Sequence, residues 1–241
     1  MRLAAAILLA LTCAASAQMP LALDVMPPYG AAGEWRFLDG QQTSDESGNG
    51  GTGTLTNGAM VAAGILILTN SSAPATMCIL DADALTPSNE LTIAFWARPN
   101  CGDWTVIGKE GGTTDRAYYV RYDSTRNRGL IFVVSADGTT FSEHQTGSAY
   151  QHDGAWAHIA CVFVGNASTK IYFNGVDTSA SLVSGSQQAY IRNNSAPLCL
   201  GRRRDGITAS TKYEGSLTRV YVYPRSLNIE EIQQLYLEGP P

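Results

Sequence analysis

Two carboxylates on one face of a strand are the pattern that would give this chain hydrolytic chemistry. Glycoside hydrolysis needs two carboxyl groups about 5–5.5 Å apart for retention, or about 6.5–9.5 Å apart for inversion. Residues i and i+2 of a strand share a face at roughly 6.5–7 Å. The chain has one such carboxylate pair, Asp81 and Asp83. The pair precedes the turn Leu85-Thr86-Pro87. We therefore favour the interpretation that both aspartates are solvated loop residues over a catalytic role.

Histidines could serve a Ser/His/Asp triad, and the chain has three: His144, His152 and His158. No serine lies in a nucleophile-elbow context, which such a triad requires to expose its hydroxyl group. The run Ser135–Phe141 looks like an Asp-box that lacks one residue. A hairpin turned by Asp-Gly is the favoured interpretation of that run.

Four cysteines, Cys78, Cys101, Cys161 and Cys199, follow the N-terminal segment. An even number in an exported protein allows two disulfides, in three pairings. The spacings match no zinc-binding pattern. Cys161 lies in the middle of a predicted strand, where a buried free thiol is nearly as plausible as a bridge. We expect at least one disulfide and leave its partners open.

The N-terminal segment has the features of a secretory signal peptide. Arg2 supplies a positive charge, Leu3–Leu11 an apolar run, and Ala15-Ser16-Ala17 a small-residue cleavage site. Residues 1–17 are therefore predicted to be removed, and the protein is expected outside the cytoplasm: extracellular, or periplasmic or on the cell surface if bacterial. No later stretch approaches the 18 apolar residues of a transmembrane helix.

The charge of the chain argues against nucleic acid as a partner. Its formal net charge is −5 and only 15% of its residues are charged, so no basic surface is expected to attract phosphates. The run Arg202–Arg204 is the one cationic cluster. A solvated loop edge is favoured for it over a specific anion site.

Turn residues divide the rest of the chain into short strands. Residues 18–32 contain Pro and Gly without periodicity and are predicted to be a linker. The stretch Trp156–Val176 indicates a strand, a polar turn and a second strand, and its Asn174-Gly175 dipeptide indicates a tight turn. Further strand-like runs include Met60–Leu68 and Ala189–Arg192, at the spacing typical of a sandwich.

The only helical signal lies near the C-terminus. Asn228 and Glu231 have the spacing of a capping box, in which each side chain binds the other's backbone N–H. Ile229, Ile232 and Leu235 then fall on one helix face, which we expect to pack on a sheet. Residues 239–241 are predicted to be a short tail.

Taken in order, these motifs resemble the laminin-G-like members of the concanavalin A-like lectin/glucanase jelly rolls. The resemblance implies an all-β fold: an antiparallel two-sheet jelly-roll sandwich with one short C-terminal helix, spanning residues 33–238. Such sandwiches host lectins, hydrolases and adhesion modules alike. The matching motifs are Gly33–Gly40, Asp45–Gly53, Leu91–Pro99, Asp153–Ala160, Lys170–Val176, Pro197–Gly201, Tyr213–Tyr223 and Arg225–Ile232.

Calcium is the cofactor that the resemblance implies. Several family members bind Ca²⁺ at a sandwich rim, and the matching positions here are Asp45, Asn49 and Thr218. Thr218-Arg219 stands where the family often has Asp-Glu, which removes a carboxylate ligand and adds a positive charge. Extracellular calcium modules need affinities of only about 10⁻⁴–10⁻³ M, so a site is still compatible with the sequence. The alternative is that Ser47–Gly50 forms a turn whose side chains bind their own backbone.

The lectin-like fold and the lack of a convincing acid pair predict a secreted, non-catalytic module that binds a glycan or a cell-surface protein. The alternatives are a structural or assembly protein that mediates protein–protein contacts, and a glycan-active hydrolase. The sequence leaves the ligand and the oligomeric state open. Trp35, Trp96 and Trp156 match core positions of the family. The aromatic side chains that could stack on sugars are Trp104, Tyr118, Tyr119, Tyr122, Tyr150, Tyr190 and Tyr213.

Overall fold

The computed structural model describes residues 28–38, 42–49, 51–69, 73–100, 104–123, 129–147, 154–203 and 212–241. The predicted signal peptide, linker residues 18–27, Cys101 and His152 lie outside these ranges. Predictions that concern them stay predictions.

Short strands are the main regular structure of the described chain, and one helix closes it. A single 3₁₀ turn, Asp83–Leu85, interrupts the series. In chain order the elements are β1 (Gly33–Trp35), β2 (Gly53–Thr56), β3 (Met60–Ala62), β4 (Ile65–Leu68), β5 (Thr76–Ile79), β6 (Glu90–Pro99), β7 (Trp104–Gly112), β8 (Asp115–Asp123), β9 (Gly129–Val134), β10 (Ser142–Gln145), β11 (Ala157–Val164), β12 (Ser168–Phe173), β13 (Val176–Asp177), β14 (Ser181–Gly185), β15 (Leu198–Leu200), β16 (Gly215–Tyr223) and α1 (Ile229–Leu237).

The strands form two sheets, each with eight strands in the described part of the chain. The first sheet has the order β13-β12-β11-β6-β16-β4-β3, and β1 also pairs with β16. The second sheet has the order β14-β10-β9-β8-β7-β15-β5-β2. Pairing within both sheets is antiparallel, for example between β6 and β16 and between β8 and β9. The predicted fold class, a two-sheet jelly-roll sandwich with one short C-terminal helix, is confirmed.

The hairpin predicted around Asn174-Gly175 is present. β11 pairs with β12, with Ile159 opposite Phe173, and the next turn leads into β13. Asn174 and Gly175 have φ angles of 50° and 76°, the left-handed values that a tight two-residue turn between strands requires. The Asn174 side chain also accepts a 2.9 Å hydrogen bond from the backbone N–H of His158, which fixes the turn against β11.

Two apolar layers hold the sandwich together. Side chains that alternate along β6, such as Ile93 and Phe95, are fully buried between the two sheets. Their neighbours on the other face, such as Ala94, lie under α1 with Ile232 and Leu235. Because α1 covers this outer face, β6 is buried on both sides, which explains its nearly continuous apolar sequence.

The C-terminal helix begins at the predicted capping box. The Asn228 side chain accepts from the backbone N–H of Glu231 at 2.9 Å, and Glu231 accepts from the backbone N–H of Asn228 at 2.9 Å. A cap of this kind contributes about 0.5–2 kcal/mol to helix stability. Among the residues that the structure describes, no helix is long and apolar enough to cross a membrane.

Two strand predictions were wrong in detail. The run Met60–Leu68 is divided into β3 and β4 by a turn at Ala63-Gly64, where both residues have positive φ angles. The run Ala189–Arg192 is not a strand, because its backbone N–H groups donate to carbonyls of separate loops. Ile191 binds Ser88 at 2.7 Å and Arg192 binds Ser135 at 2.8 Å. β14 (Ser181–Gly185), which was not predicted from the sequence, forms an edge of the second sheet.

One disulfide joins neighbouring strands of the second sheet. Cys78 on β5 lies opposite Cys199 on β15, and the two sulfurs are bonded. Cys161 is a buried free thiol, and burial raises its pKa above the ordinary range. The structure therefore identifies Cys78 and Cys199 as one disulfide among the pairings that the sequence left open. Cys101 lies outside the described residues.

Candidate functional site

The carboxylates proposed for hydrolysis, Asp81 and Asp83, have separate structural partners. Asp81 Oδ1 accepts from the ammonium group of Lys109 at 2.6 Å. Asp83 Oδ1 accepts from Asn193 Nδ2 at 3.2 Å. Asp81 is thus paired with a buried cation and Asp83 with a neutral amide, and the absence of catalysis at these two residues stays a prediction.

Lys109 is a buried structural cation. Its side chain has no exposed surface, and its ammonium group donates to Asn194 O at 2.7 Å and Ala196 O at 2.8 Å as well as to Asp81. Burial is the main influence on the Lys109 pKa and lowers it, although the nearby carboxylates oppose that shift. The site joins β7 to the loops that follow β5 and precede β15.

Asp45 organises the loop after β1. Its Oδ1 accepts from the backbone N–H groups of Glu34 at 2.8 Å and Ser47 at 2.9 Å. Its Oδ2 accepts from Ser47 Oγ at 2.7 Å and from Gly51 N at 3.4 Å. The Asn49 side chain donates to the same Ser47 hydroxyl at 3.0 Å. This is the arrangement expected of a turn whose side chains bind their own backbone.

Thr218 belongs to a different part of the first sheet. Its hydroxyl group donates to Gly64 O at 2.6 Å, and no hydrogen bond of the described chain joins it to Asp45 or Asn49. Within the described ranges, no group of three or more His, Cys, Asp or Glu side chains could hold a metal ion. Calcium binding stays a prediction, and at Asp45 the metal would compete with four hydrogen bonds.

Most of the aromatic side chains considered for sugar stacking are buried. Tyr190 is exposed, with 48% of its surface accessible. The side chain of Trp104 and all of Tyr150 lie outside the described residues. The buried candidates are Tyr118, Tyr119, Tyr122 and Tyr213.

A cleft of about 370 Å³ lies where the chain enters the first sheet. We call it the N-terminal cleft and define it by the lining residues Tyr29, Glu34, Arg36, Glu46 and Ser47. These residues precede β1, belong to it or follow it, and Tyr29 has 80% of its surface exposed. The cleft therefore combines an open aromatic ring with groups of both charges.

Strand geometry explains how the N-terminal cleft is built. Successive side chains of a strand point to opposite faces, so the buried Trp35 directs Glu34 and Arg36 to the other face. Trp35 is fixed by its indole N–H, which donates to Gly51 O at 2.8 Å. Glu46 is held nearby because its backbone N–H donates to Glu34 O at 2.8 Å.

The surroundings of Glu34 in the N-terminal cleft raise the pH at which its carboxyl group loses its proton. Burial, followed by the charge of Glu46, raises the pKa of Glu34 from 4.5 to about 7, although Arg36 opposes the shift. Burial also raises the pKa of Glu46, again against the influence of Arg36. The closest charged atoms of Arg36 and Glu34 are 3.9 Å apart, so the two carboxylates share one loosely paired guanidinium group.

Two polar atoms of the N-terminal cleft residues lack hydrogen-bond partners within the described part of the chain. They are the donor Arg36 Nε and the acceptor Glu46 Oε1, both buried from solvent. Buried polar atoms are normally satisfied, and a ligand in the cleft could reach these two exceptions only after the side chains move. Sequence reasoning missed this site because Tyr29 was assigned to the linker and the two glutamates come from different segments. The alternation Glu34-Trp35-Arg36 was the available signal.

The arginine run considered as an anion site has a structural role on the second sheet. Arg203 Nε donates to Glu110 Oε2 at 2.5 Å, and its guanidinium carbon lies 4.2 Å from the centre of the Tyr119 ring. Arg204 lies outside the described residues. Arg203 is thus committed to a buried carboxylate and a cation–π contact.

Comparisons with solved structures show the same fold in receptor-binding domains of toxins. The chain is similar to a structure reported for cell entry of botulinum neurotoxin type C, dependent on two ganglioside molecules, with a TM-score of 0.67 and 12% identity over 86% of this chain and 51% of that chain. It is also similar to the binding domain of Paraclostridial Mosquitocidal Protein 1, with a TM-score of 0.63 and 14% identity over 86% and 52% of the two chains. The binding domain of botulinum neurotoxin DC, solved with rat synaptotagmin II, gives a TM-score of 0.66 and 12% identity over 86% and 51%.

These likenesses show the fold alone, since the chain spans about half of each solved chain and identities are low. No curated protein matches the sequence. The family comparison is more direct, because the laminin G model of the concanavalin A-like lectin/glucanases superfamily matches residues 72–233. The N-terminal cleft precedes the matched range. More than half of the sequence fits this model, and the chain belongs to the concanavalin A-like lectin/glucanase superfamily.

Proposed function

We propose that this protein is a secreted, non-catalytic binding module that recognises a glycan, free or carried by a cell-surface partner, at the N-terminal cleft. The observation that carries the proposal is the exposed ring of Tyr29 beside the charged side chains of Glu34, Arg36 and Glu46 in one cleft. The size of the cleft falls within the range of small-molecule sites, about 300–1,000 Å³.

The chemistry of the N-terminal cleft suits a sugar ring. An aromatic face packs against the apolar face of a sugar, and Tyr29 offers such a face at the edge of the cleft. Sugar hydroxyl groups both donate and accept, so one ring can donate to Glu46 and accept from Arg36. The backbone of Tyr29 is held by Arg225, which donates to its carbonyl at 3.2 Å.

The structural neighbours support the general class of function. One neighbour is named for an interaction with two ganglioside molecules and another for a complex with synaptotagmin II. These ligands belong to the neighbouring proteins, of which this chain matches about half the length. The ligand of the present chain is proposed from its own cleft.

The proposal is tested on a broad glycan array with the wild type and Tyr29→Ala, each with and without calcium. We expect the wild type to retain specific glycans and Tyr29→Ala to bind them about tenfold more weakly, because the stacking contact is lost. Tyr190→Ala is the matched control, since it removes an exposed tyrosine outside the cleft. Failure of the wild type to retain any glycan, together with no captured surface protein, would overturn the proposal. Defined oligomers in light scattering would then favour the assembly alternative.

Secretion belongs to the same proposal and has its own measurement. Expression with the full N-terminus in an exporting host is expected to yield protein outside the cytoplasm whose intact mass begins at Gln18. Recovery of uncleaved chain from the cytoplasm alone would contradict it.

The acid pair of the N-terminal cleft favours a second candidate, a glycan-active hydrolase. A carboxyl group with a pKa of about 7, as at Glu34, is suited to general acid–base catalysis near neutral pH. The test is the release of reducing ends from the glycans that bind. Turnover by the wild type that is lost in both Glu34→Gln and Glu46→Gln would establish this candidate over simple binding.

A further inference from the structure

The N-terminal cleft contains more negative than positive side chains. Glu34 and Glu46 line it with Arg36 as the one lining cation. Arg36 lies 3.9 Å from Glu34, too far for a hydrogen bond. Arg36 therefore offsets the charge of the two carboxylates only in part, and the cleft keeps an excess of acidic side chains.

We propose that the N-terminal cleft binds the ammonium group of an amine-bearing sugar between Glu34 and Glu46, and that binding releases a proton from Glu34. The inference rests on the proposed function, since it names the ligand class of the same cleft. The ammonium group donates to the carboxylates, and the displaced proton passes from the carboxyl group to the solvent.

The surroundings of Glu34 account for the proton that it holds. With its pKa raised to about 7, Glu34 holds a proton in about half of the molecules at neutral pH. A cation placed beside the carboxylates lowers that pKa and expels the proton. The charged and titratable groups whose fields reach Glu34 are Asp45 and Glu46 from the loop after β1, Arg36, Glu238 at the end of α1, and Tyr221 and Tyr223 on β16.

Glu238 adds negative charge without offering itself to the ligand. Its side chain is 2% exposed, and its Oε2 accepts from the hydroxyl group of Tyr221 at 2.7 Å. It interacts electrostatically with Glu34 and raises the pKa of that residue further. Glu238 thus acts on Glu34 from outside the lining of the cleft, and its own charge is partly offset by Arg219 at 3.8 Å.

The other groups of the cleft distinguish an amine-bearing sugar from a simple metal ion. A bare metal ion offers no acceptor to the N–H groups of the Arg36 guanidinium, whose positive charge repels an ammonium group as well as a metal ion. A sugar hydroxyl supplies that acceptor, and the sugar ring supplies an apolar face for Tyr29. An amino sugar offers all three features in one ring.

The experiment compares a glucosamine trimer with the N-acetylglucosamine trimer by isothermal titration calorimetry. The two probes differ in whether the nitrogen can carry a charge. Titrations of the wild type at pH 7 in two buffers with different ionisation enthalpies report protons released on binding. We expect the glucosamine trimer to bind roughly tenfold more tightly or better than the acetylated trimer.

Isosteric variants locate the effect. Glu34→Gln and Glu46→Gln are each expected to remove most of the preference for the amine, and Glu34→Gln also removes its share of the proton release. Since the amine titrates itself, the difference between the wild type and Glu34→Gln isolates the carboxyl group. Glu230→Gln, an exposed acid of α1, is the control for net charge and is expected to bind like the wild type. Circular dichroism and thermal unfolding confirm that each variant folds.

The outcomes separate this inference from the proposed function. Equal affinity for the two trimers, or an unchanged preference in both cleft variants, would overturn the inference while leaving glycan binding intact. Binding of other glycans with no affinity for either trimer would do the same. Retention of a lysine-rich peptide without either trimer would replace the sugar by a protein ligand. If no glycan binds at all, the proposed function itself fails.

Discussion

The ammonium nitrogen of Lys109 lies 2.6 Å from Asp81 Oδ1, and the lysine side chain is completely buried while the aspartate is 30% exposed. The same nitrogen donates to the carbonyl oxygens of Asn194 and Ala196. A fully desolvated cation with this many acceptors connects two loops to β7. The pair therefore links these segments at the rim of the second sheet.

Removal of one partner of this pair is predicted to be costly. Asp81→Asn leaves a buried ammonium group without its counterion, and we expect a loss of about 3 kcal/mol in the free energy of unfolding, the lower end of the range for buried pairs because Asp81 is partly exposed. Urea denaturation measures the change. Lys170→Met is the control, because its ion pair with Asp177 is exposed and is expected to contribute less than about 1 kcal/mol. Equal effects of the two variants would contradict the assignment.

The disulfide between Cys78 and Cys199 is predicted to be the covalent link between β5 and β15. The two residues are separated by 121 positions, so the bond closes a long loop, and the double serine variant is expected to lose about 2–5 kcal/mol of stability. Peptide mapping without reduction should recover the two cysteines in one cross-linked product. In the same experiment Cys161 should become alkylated only after unfolding, because it is buried and its thiol pKa is raised. Alkylation of Cys78 in the native protein would contradict the pairing.

His158 is predicted to make the protein less stable in acid. Burial beneath α1 lowers its pKa from 6.5 to about 3, so between these values the unfolded chain binds a proton that the folded protein excludes. The free energy of unfolding should therefore fall as the pH drops from 6.5 towards 3, by about 1.4 kcal/mol per pH unit at the steepest.

The measurement for His158 is the free energy of urea unfolding as a function of pH. It compares the Glu34→Gln variant with the Glu34→Gln, His158→Gln double variant. Glu34 must be removed because its raised pKa has the opposite effect: the folded protein keeps a proton between pH 4.5 and about 7, which stabilises it as the pH falls. The acid-dependent loss should shrink when His158 is replaced. An unchanged pH dependence would show that the histidine is not held neutral by the fold.

Asp45 is predicted to stabilise its loop without metal. Asp45→Ala removes four hydrogen bonds, which come from Glu34, Ser47 and Gly51. We expect a decrease of about 1–3 kcal/mol in the free energy of unfolding, even in the presence of EDTA. Asn49→Ala, which removes an exposed side chain, is the control and should have a smaller effect. If millimolar calcium raises the melting temperature of the wild type but not of Asp45→Ala, the residue also ligates metal, as the family resemblance implies.

Local signals in the sequence determined much of the fold. The turn at Asn174-Gly175 depends on two positive φ angles that these residues adopt readily. The start of α1 depends on the reciprocal hydrogen bonds of Asn228 and Glu231. Both features require only residues that are close in the chain, and both were predicted correctly. The order of the motifs along the chain also predicted the two-sheet architecture and the family.

Contacts between distant segments were decided by the tertiary structure. Cys78 had several candidate partners until β5 and β15 came side by side. Lysine is ordinarily a surface residue, and Lys109 is buried only because two loops pack around it. The N-terminal cleft is of the same kind, because burial and the charge of Glu46 raise the pKa of Glu34 only after folding brings the two segments together. Hairpins and caps are encoded by neighbouring residues, whereas burial, pairing of distant charges and an accessible cleft depend on how the whole sandwich closes.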